Sequence, residues 1–384
     1  MSAQPRLLFV AGDDGFFFSH IMPIARAARD AGFAVAVACP VAAHGGAIRA
    51  EGIRVLPLTM KRGRVSPLAD ARTLAALVRI SRAERPDILH AVAMKPVLYG
   101  AAAARLTGVP AFAAALMGLG YVFTSRDVKA RLLRPLLRRA LRWALSGRRS
   151  TCIVQNPDDA AFLAGLGIDR RGIVVIRGCG VDTARFAPSP EPEGPVRATM
   201  VSRQLWDKGV GEFVEAARAA RARCADLRFT LIGAPDEGNP AVVPLVRLEG
   251  WRAEGLVDWQ GHRDDIPAVW KESHIAVLPS YREGLPKALL EAAASARPIV
   301  AADVPGSREI ACDGESALLV PPRDAAALAA AILRLAGDPA LRARLGAGGR
   351  ALVEREFSED RISAETLALW RRQLDEAGDG RRAG

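Results

Sequence analysis

The chain has 384 residues, half of them hydrophobic and a quarter charged. That is ordinary globular composition, which excludes collagenous, disordered and disulfide-scaffold classes, and the length suggests two domains. The formal net charge of +11 is unevenly placed: 27 basic and 12 acidic residues run up to Ala187, against 26 and 30 after it. A partner of the first half is therefore expected, not a general basicity.

The first apolar run, Leu7 to Gly12, is too short for a signal-peptide core. It opens a series of short strand-like runs: Arg6–Gly12, Ala34–Cys39, Arg54–Leu58, Asp87–Val92, Ala111–Leu116, Thr151–Gln155 and Ile173–Arg177. Helical spacing fills the gaps, as in His20–Ala31 and Pro67–Glu84. Leu106 to Ser125 carries no charge, but Pro110, Gly118 and Gly120 interrupt it, so it reads as strand plus loop and not as a membrane span. The Ala187–Pro195 stretch holds four prolines and is expected to be the domain linker. The pattern then restarts with Ala198–Ser202, Arg228–Gly233, Val257–Gln260, His274–Pro279, Pro298–Ala302 and Ala317–Val320, before an amphipathic helix, Ser358–Gln373, and a frayed tail from Asp375.

Near-continuous apolar strands alternating with helices predict parallel sheets covered on both faces. The expected fold class is α/β, with two doubly wound domains over residues 1–187 and 196–357 and a terminal helix over 358–376. Such sheets bind ligands beyond their strand carboxyl ends, so a cleft between the domains is the expected site. Five scattered cysteines (Cys39, Cys152, Cys179, Cys224, Cys312) form no C-x-x-C pair, which fits a reducing cytosol and gives no metal-ligand spacing.

The most specific stretch runs from Ser280 to Ala292 and contains Glu283-Gly284-Leu285-Pro286 and, eight positions after Glu283, Glu291. It follows a buried strand and opens a helix, where backbone N–H groups and the helix dipole favour an anion. Glu283 is expected to be exposed in the turn, and Glu291 to return to the cleft, where it can accept from ribose hydroxyls. A capping Glu283 and a solvated Glu291 are the structural alternative. Arg203 and Lys208 flank the loop after the second half's first strand and can clamp a diphosphate, the guanidinium in bidentate fashion and the ammonium as a point charge. Two solvated loop cations are the plain alternative.

With Val304-Pro-Gly306-Ser-Arg-Glu309 downstream, this set resembles the retaining glycosyltransferases of family 4. The resemblance implies a GT-B fold, in which two facing Rossmann-like domains flank a cleft and the C-terminal one holds a nucleotide-sugar. It implies that Arg203 and Lys208 hold the donor diphosphate, that Glu291 contacts the ribose, and that Glu283 lies beside the transferred sugar. The amides of Gly284, Leu285 and Pro286 would lie at the sugar and phosphates, and the terminal helix would cross back onto the first domain. The chain has no Asp-x-Asp and no His-Glu-x-x-His, so no metal or other cofactor is expected beyond the UDP-sugar substrate. Arg, Lys and a helix N-terminus would then neutralise the leaving diphosphate.

In the first half, Ala11 to His20 and His90 to Gly100 each follow a strand and open a helix. With Met117 to Phe123 they resemble the subgroup that extends polyprenyl-diphosphate-linked saccharides, including enzymes that add N-acetylgalactosamine to lipid-linked bacillosamine. The likeness implies that His20 and Lys95 face the acceptor and that Asp14 and Gly15 belong to its loop. Ile21 and Gly15 depart from the subgroup's usual arginine and aromatic at these places.

The Arg126 to Arg149 segment sets nine cations against Asp127. Leu133, Leu136, Leu137, Ala140, Leu141, Ala144 and Leu145 are expected to form one apolar stripe, with Arg131, Arg134, Arg138 and Arg142 opposite and Trp143 nearby. An anionic membrane surface is the expected partner, each basic residue near it adding ~1 kcal/mol of attraction. A core-packed helix with a solvated arginine face is the plain alternative. Nucleic acid is not expected, since interleaved aromatics and recognition motifs are missing.

The expected function is retaining, metal-independent transfer of an N-acetylhexosamine from a UDP-sugar to a polyprenyl-diphosphate-linked saccharide, by a peripheral protein on the cytoplasmic face of the membrane. A UDP-N-acetylglucosamine 2-epimerase-like enzyme and a non-catalytic scaffold of the same fold are the rivals. The first would need more titratable groups than five histidines readily supply. The second would be expected to have lost some of Arg203, Lys208, Glu283 and Glu291.

Overall fold

The computed structural model describes residues 4–60, 66–118, 128–147, 149–224 and 226–382, without the side chains of 128–132 and 379–382. It divides into two compact units, Met1–Cys179 with Glu359–Gly384, and Gly180–Ser358.

Among the described residues, unit 1 holds one seven-stranded sheet in the order β3-β2-β1-β4-β5-β6-β7. The strands are β1 Arg6–Val10, β2 Ala34–Cys39, β3 Arg54–Pro57, β4 Ile88–Val92, β5 Ala111–Leu116, β6 Ser150–Val154 and β7 Ile173–Val175. Every neighbouring pair is parallel. β4 and β5 are buried at every position, as a sheet covered on both faces requires. Side chains alternate between the faces. Leu7 and Phe9 pack with Ile362, Leu369 and Trp370 of the final helix, whereas Leu8 and Val10 pack with Leu77, Val97 and Leu141. That final helix, Glu359–Arg382, continues past Asp375, where a frayed tail was expected. Burial of Ala377 gives the extra turns an apolar anchor.

Unit 2 repeats the plan with six described strands in the order β10-β9-β8-β11-β12-β13. They are β8 Arg197–Val201, β9 Arg228–Ile232, β10 Asp258–Trp259, β11 Ile275–Leu278, β12 Ile299–Ala302 and β13 Ala317–Val320. The proline-rich stretch is not a free linker. The units divide earlier, between Cys179 and Gly180, and the stretch is tied into unit 2. Arg342, with only 6% of its side chain exposed, pairs with Glu191 at 2.7 Å. Buried Arg297 donates to Ser189 Oγ at 2.5 Å and to the Pro190 carbonyl at 3.1 Å. Two buried guanidiniums need partners, and this extended segment supplies them.

Both sheets reverse their strand order beside their first strand, between β1 and β4 and between β8 and β11. At such a switch point the loops leaving the two central strands diverge and open a crevice past their carboxyl ends. The four loops singled out in the sequence are those four loops.

Candidate functional site

In unit 2 the loop after β8 carries Arg203 and Lys208, and the loop after β11 carries Glu283 to Pro286. Backbone contact joins them, Tyr281 N–H donating to the Asp207 carbonyl at 2.9 Å. Two glycines permit the close approach. Gly209 has φ +77°, and a Cβ there would lie 2.3 Å from the Pro279 carbonyl oxygen. Gly306 has φ +81°, and its Cβ would lie 2.3 Å from the Gly284 carbonyl oxygen. Only glycine takes that backbone without strain while leaving the space empty.

The result is a close ion pair, Lys208 Nζ to Glu283 Oε1 at 2.6 Å. Glu283 is not the exposed turn residue expected: 9% of its side chain is accessible, because Lys208 folds over it. Arg203 is held at 2.7 Å by Asp236, a residue that no sequence pattern had marked. Both cations expected to hold an anion are thus paired with carboxylates. Glu291 is buried on the helix Lys287–Ala294, with the Lys287 ammonium 3.8 Å away. Pro286 caps that helix but has no N–H, so it shapes the turn, while donors to an anion must come from its neighbours. Burial pushes the Asp207 carboxyl above its ordinary value; the Glu283 charge adds to this, and Lys208 and Arg203 oppose it. Beside them Tyr281 donates to Glu212 at 2.7 Å beneath the Arg323 guanidinium, 4.2 Å above its ring. Burial and that carboxylate raise the Tyr281 phenol.

In unit 1, the segment after β1 turns into a helix through a π-turn, Phe17–Ile21. Asp13 starts it by accepting from Phe16 N–H at 2.6 Å. His20 lies half-buried on the π-turn, stacked on Phe16 at 4.5 Å, with Nδ1 2.8 Å from Ser19 Oγ. Single turns of π-helix of this kind are frequent at functional sites. Asp14, expected in the acceptor loop, holds a neighbouring loop. It is 2% exposed and accepts from Ala42 and His44 N–H, both at 2.8 Å, so it latches the next loop. Burial raises its carboxyl, but the backbone donors of Ala42, His44 and Gly45 together with the His44 ring outweigh it and hold the group below its ordinary value. Gly15 sits at this turn, a Cβ there lying 3.4 Å from Asp13 Oδ1 and 3.5 Å from the His44 ring. Lys95 follows β4 and pairs with Asp70 at 3.4 Å. Asp70 also accepts from the Tyr99 hydroxyl at 2.7 Å and from Ser66 N–H at 3.0 Å. Tyr99 falls within the stretch His90 to Gly100 singled out in the sequence, whereas Asp70 lies outside every such stretch.

The helix Val128–Leu145 divides its apolar residues between two faces. Leu141, Ala144 and Leu145 are buried, while Leu133, Leu136 and Trp143 are exposed. The single stripe expected is therefore split, since a helix can turn only one face to the core. Arg138 and Arg142 are exposed and Arg134 is half-buried. The Arg131 side chain lies outside the described residues, as do positions 119–127. Among the described residues, no helix is long and apolar enough to cross a membrane.

Comparison with known proteins places each half. The family described as "Glycosyl transferase 4-like" matches residues 6–156, and "Glycosyl transferases group 1" matches residues 196–338. The chain is 28% identical to the N,N'-diacetylbacillosaminyl-diphospho-undecaprenol alpha-1,3-N-acetylgalactosaminyltransferase of Campylobacter jejuni, over 96% of this chain and 99% of the relative. It is 27% identical to an Escherichia coli UDP-Gal:alpha-D-GlcNAc-diphosphoundecaprenol alpha-1,3-galactosyltransferase, over 72% and 73% of the two chains. Among solved structures, sucrose-phosphate synthase from Thermosynechococcus elongatus superposes with a TM-score of 0.80 at 21% identity, over 97% of this chain and all of the other. Anabaena HepE in complex with UDP gives 0.76 at 20% identity, over 94% and 99%. These likenesses establish the GT-B fold.

Proposed function

The chain belongs to the glycosyltransferases of the group 1 and 4-like families, and from that premise we propose its reaction and its substrates. It transfers an N-acetylhexosamine, with retention, from a UDP-sugar to a saccharide carried on a polyprenyl diphosphate. The observation that carries the donor half is the pair Lys208–Glu283 at 2.6 Å, where the loops after β8 and β11 meet. A diphosphate entering this crevice competes with Glu283 for Lys208 and with Asp236 for Arg203. Binding exchanges the carboxylate partner of each cation for a phosphate oxygen. The N-terminus of the helix Lys287–Ala294 adds partial positive charge where the leaving diphosphate gains negative charge. Glu283, released from Lys208, is left beside the transferred sugar, and Glu291 accepts from the ribose.

On unit 1, His20 and Lys95 serve the acceptor, past the carboxyl ends of β1 and β4. The lipid-linked acceptor brings the protein to the cytoplasmic face of the membrane. The exposed Leu133, Leu136 and Trp143, flanked by Arg138, Arg139 and Arg142, have the amphipathic character of a helix that rests at a lipid surface. The deciding experiment is UDP release from a panel of UDP-sugars, with and without a polyprenyl-diphosphate-linked saccharide, followed by the intact mass and anomeric configuration of the product. Acceptor-dependent release with one added N-acetylhexosamine in α linkage is expected. No acceptor-dependent release with any UDP-sugar would overturn the reading.

A further inference from the structure

Arg203 and Asp236 lie on neighbouring loops, after β8 and after β9, and backbone bonds join those loops on both sides of Asp236. Before it, Ser202 N–H donates to the Ile232 carbonyl at 3.0 Å and Gln204 N–H to the Ala234 carbonyl at 3.1 Å. After it, Trp206 N–H donates to the Ala241 carbonyl at 2.7 Å and Val243 N–H to the Gln204 carbonyl at 2.9 Å. The buried side chain of Gln204 adds a clamp, its Nε2 donating to the Ser202 carbonyl at 2.9 Å and to the Ile232 carbonyl at 3.2 Å. The backbone therefore keeps Asp236 beside the Arg203 loop even when the guanidinium turns to another partner.

The ion pair itself is far looser than the loops that bear it. Among the described residues it makes one hydrogen bond, from Arg203 Nη1 to Asp236 Oδ2 at 2.7 Å, with 53% and 33% of the two side chains exposed. So exposed a pair contributes little to stability, because water screens it and both side chains lose freedom in forming it. A diphosphate is the stronger partner, with several charges and with oxygens that match the fork of guanidinium donors. Asp236 acts instead on the field at that guanidinium. Fixed by its loop, it stays a negative charge next to any phosphate that Arg203 takes up, and like charges so placed repel.

We propose, on the reading that Arg203 holds the donor diphosphate, that Asp236 is the residue that hastens departure of the nucleotide product. It repels the diphosphate while UDP is bound and takes back the guanidinium as UDP leaves. Arg203 supplies affinity and Asp236 limits it, so one cation serves both capture of the donor and release of UDP after transfer.

Asp236→Asn separates charge from position, because the amide oxygen still accepts from Arg203 while the negative charge is gone. The test is calorimetry of UDP binding and stopped-flow dissociation of UDP, on the full chain at one pH and ionic strength. The proteins compared are the parent, Asp236→Asn, Glu237→Gln and Arg203→Ala. Glu237 is exposed and next in the chain, so its variant removes an equal charge from the same loop and reports the general field. Asp236→Asn is expected to bind UDP at least about threefold more tightly, the gain lying in slower dissociation, with an unchanged thermal midpoint. Glu237→Gln should change the affinity by a smaller factor, and Arg203→Ala should weaken it.

UDP binding by Asp236→Asn that equals the parent's or is weaker overturns the proposal. So does an equal gain in Glu237→Gln, which would reduce the effect to net charge. Unchanged affinity in Arg203→Ala overturns the donor reading and this inference together. Weakening there without a gain in Asp236→Asn overturns this inference alone.

Discussion

The indole N–H of Trp370 donates to Nδ1 of His90 at 3.1 Å, joining the final helix to the centre of the unit 1 sheet across 280 residues of sequence. The bond needs His90 neutral at Nδ1. Burial enforces this, depressing the imidazole to about 3.

Stability of unit 1 should therefore depend on pH through this one residue. Unfolded, His90 titrates near 6.5; folded, it titrates near 3. The folded state binds fewer protons between those values, so the contribution is complete above pH 6.5 and is lost as pH falls towards 3, at about 1.4 kcal/mol per pH unit. Denaturant unfolding at pH 7 and pH 5, followed by near-ultraviolet circular dichroism, should give a smaller difference for His90→Gln than for the parent. An equal difference in both proteins would remove His90 as its source.

Arg203→Ala and Lys208→Ala should each weaken UDP binding while leaving the thermal midpoint almost unchanged. Loss of a charge-assisted contact costs about 1.5–3 kcal/mol, or roughly 10- to 150-fold in affinity. Calorimetry with UDP tests this, and unchanged affinity in both variants would place the diphosphate elsewhere.

The two carboxylates should separate kinetically. Glu291→Gln should chiefly raise KM for the donor, because it removes binding present in ground and transition states alike. Glu283→Gln should chiefly lower kcat, because a group beside the reacting sugar acts mainly in the transition state. Small and equal effects would make both of them structural.

Gly306→Ala introduces a methyl that would lie 2.3 Å from the Gly284 carbonyl oxygen, at a φ of +81°. The Glu283 turn must move or the backbone at 306 must change, at a cost of about 1–3 kcal/mol. Turnover should fall by a larger factor than this loss of stability explains, since Glu283 is displaced from Lys208. A variant with parental kcat and thermal midpoint would show that the close approach is dispensable.

The triple variant Leu136→Ser/Arg138→Gln/Arg139→Gln alters only exposed side chains of the helix Val128–Leu145. Binding to anionic vesicles should weaken, and parental binding should itself fall steeply as salt rises, since attraction is screened over roughly 8 Å at physiological salt. Turnover of a water-soluble acceptor analogue should survive while turnover of the lipid-linked acceptor drops. Parental sedimentation by the variant would show this face to be ordinary solvated surface.

The thirteen strands described here were all legible in the sequence, to within a residue or two at their ends. A parallel sheet buried on both faces demands near-continuous apolar runs, and local composition records them. The loops that carry Arg203, Lys208, Glu283, His20 and Lys95 were legible for the same reason, as the segments that leave central strands. Partner choice was not legible. Asp236, Asp70 and Glu191 have nothing in their own neighbourhoods to mark them, yet they hold Arg203, Lys95 and Arg342. Glu283 reads as an exposed turn residue until Lys208, 75 positions earlier, is folded over it. The helix Val128–Leu145 shows the same division: its apolar residues are evident in sequence, but only Leu141, Ala144 and Leu145 are buried, because the sheet offers room for one face. Element type follows from the period of apolar residues along the chain, whereas ion pairs and the choice of buried face depend on which segments the topology brings within a few ångströms.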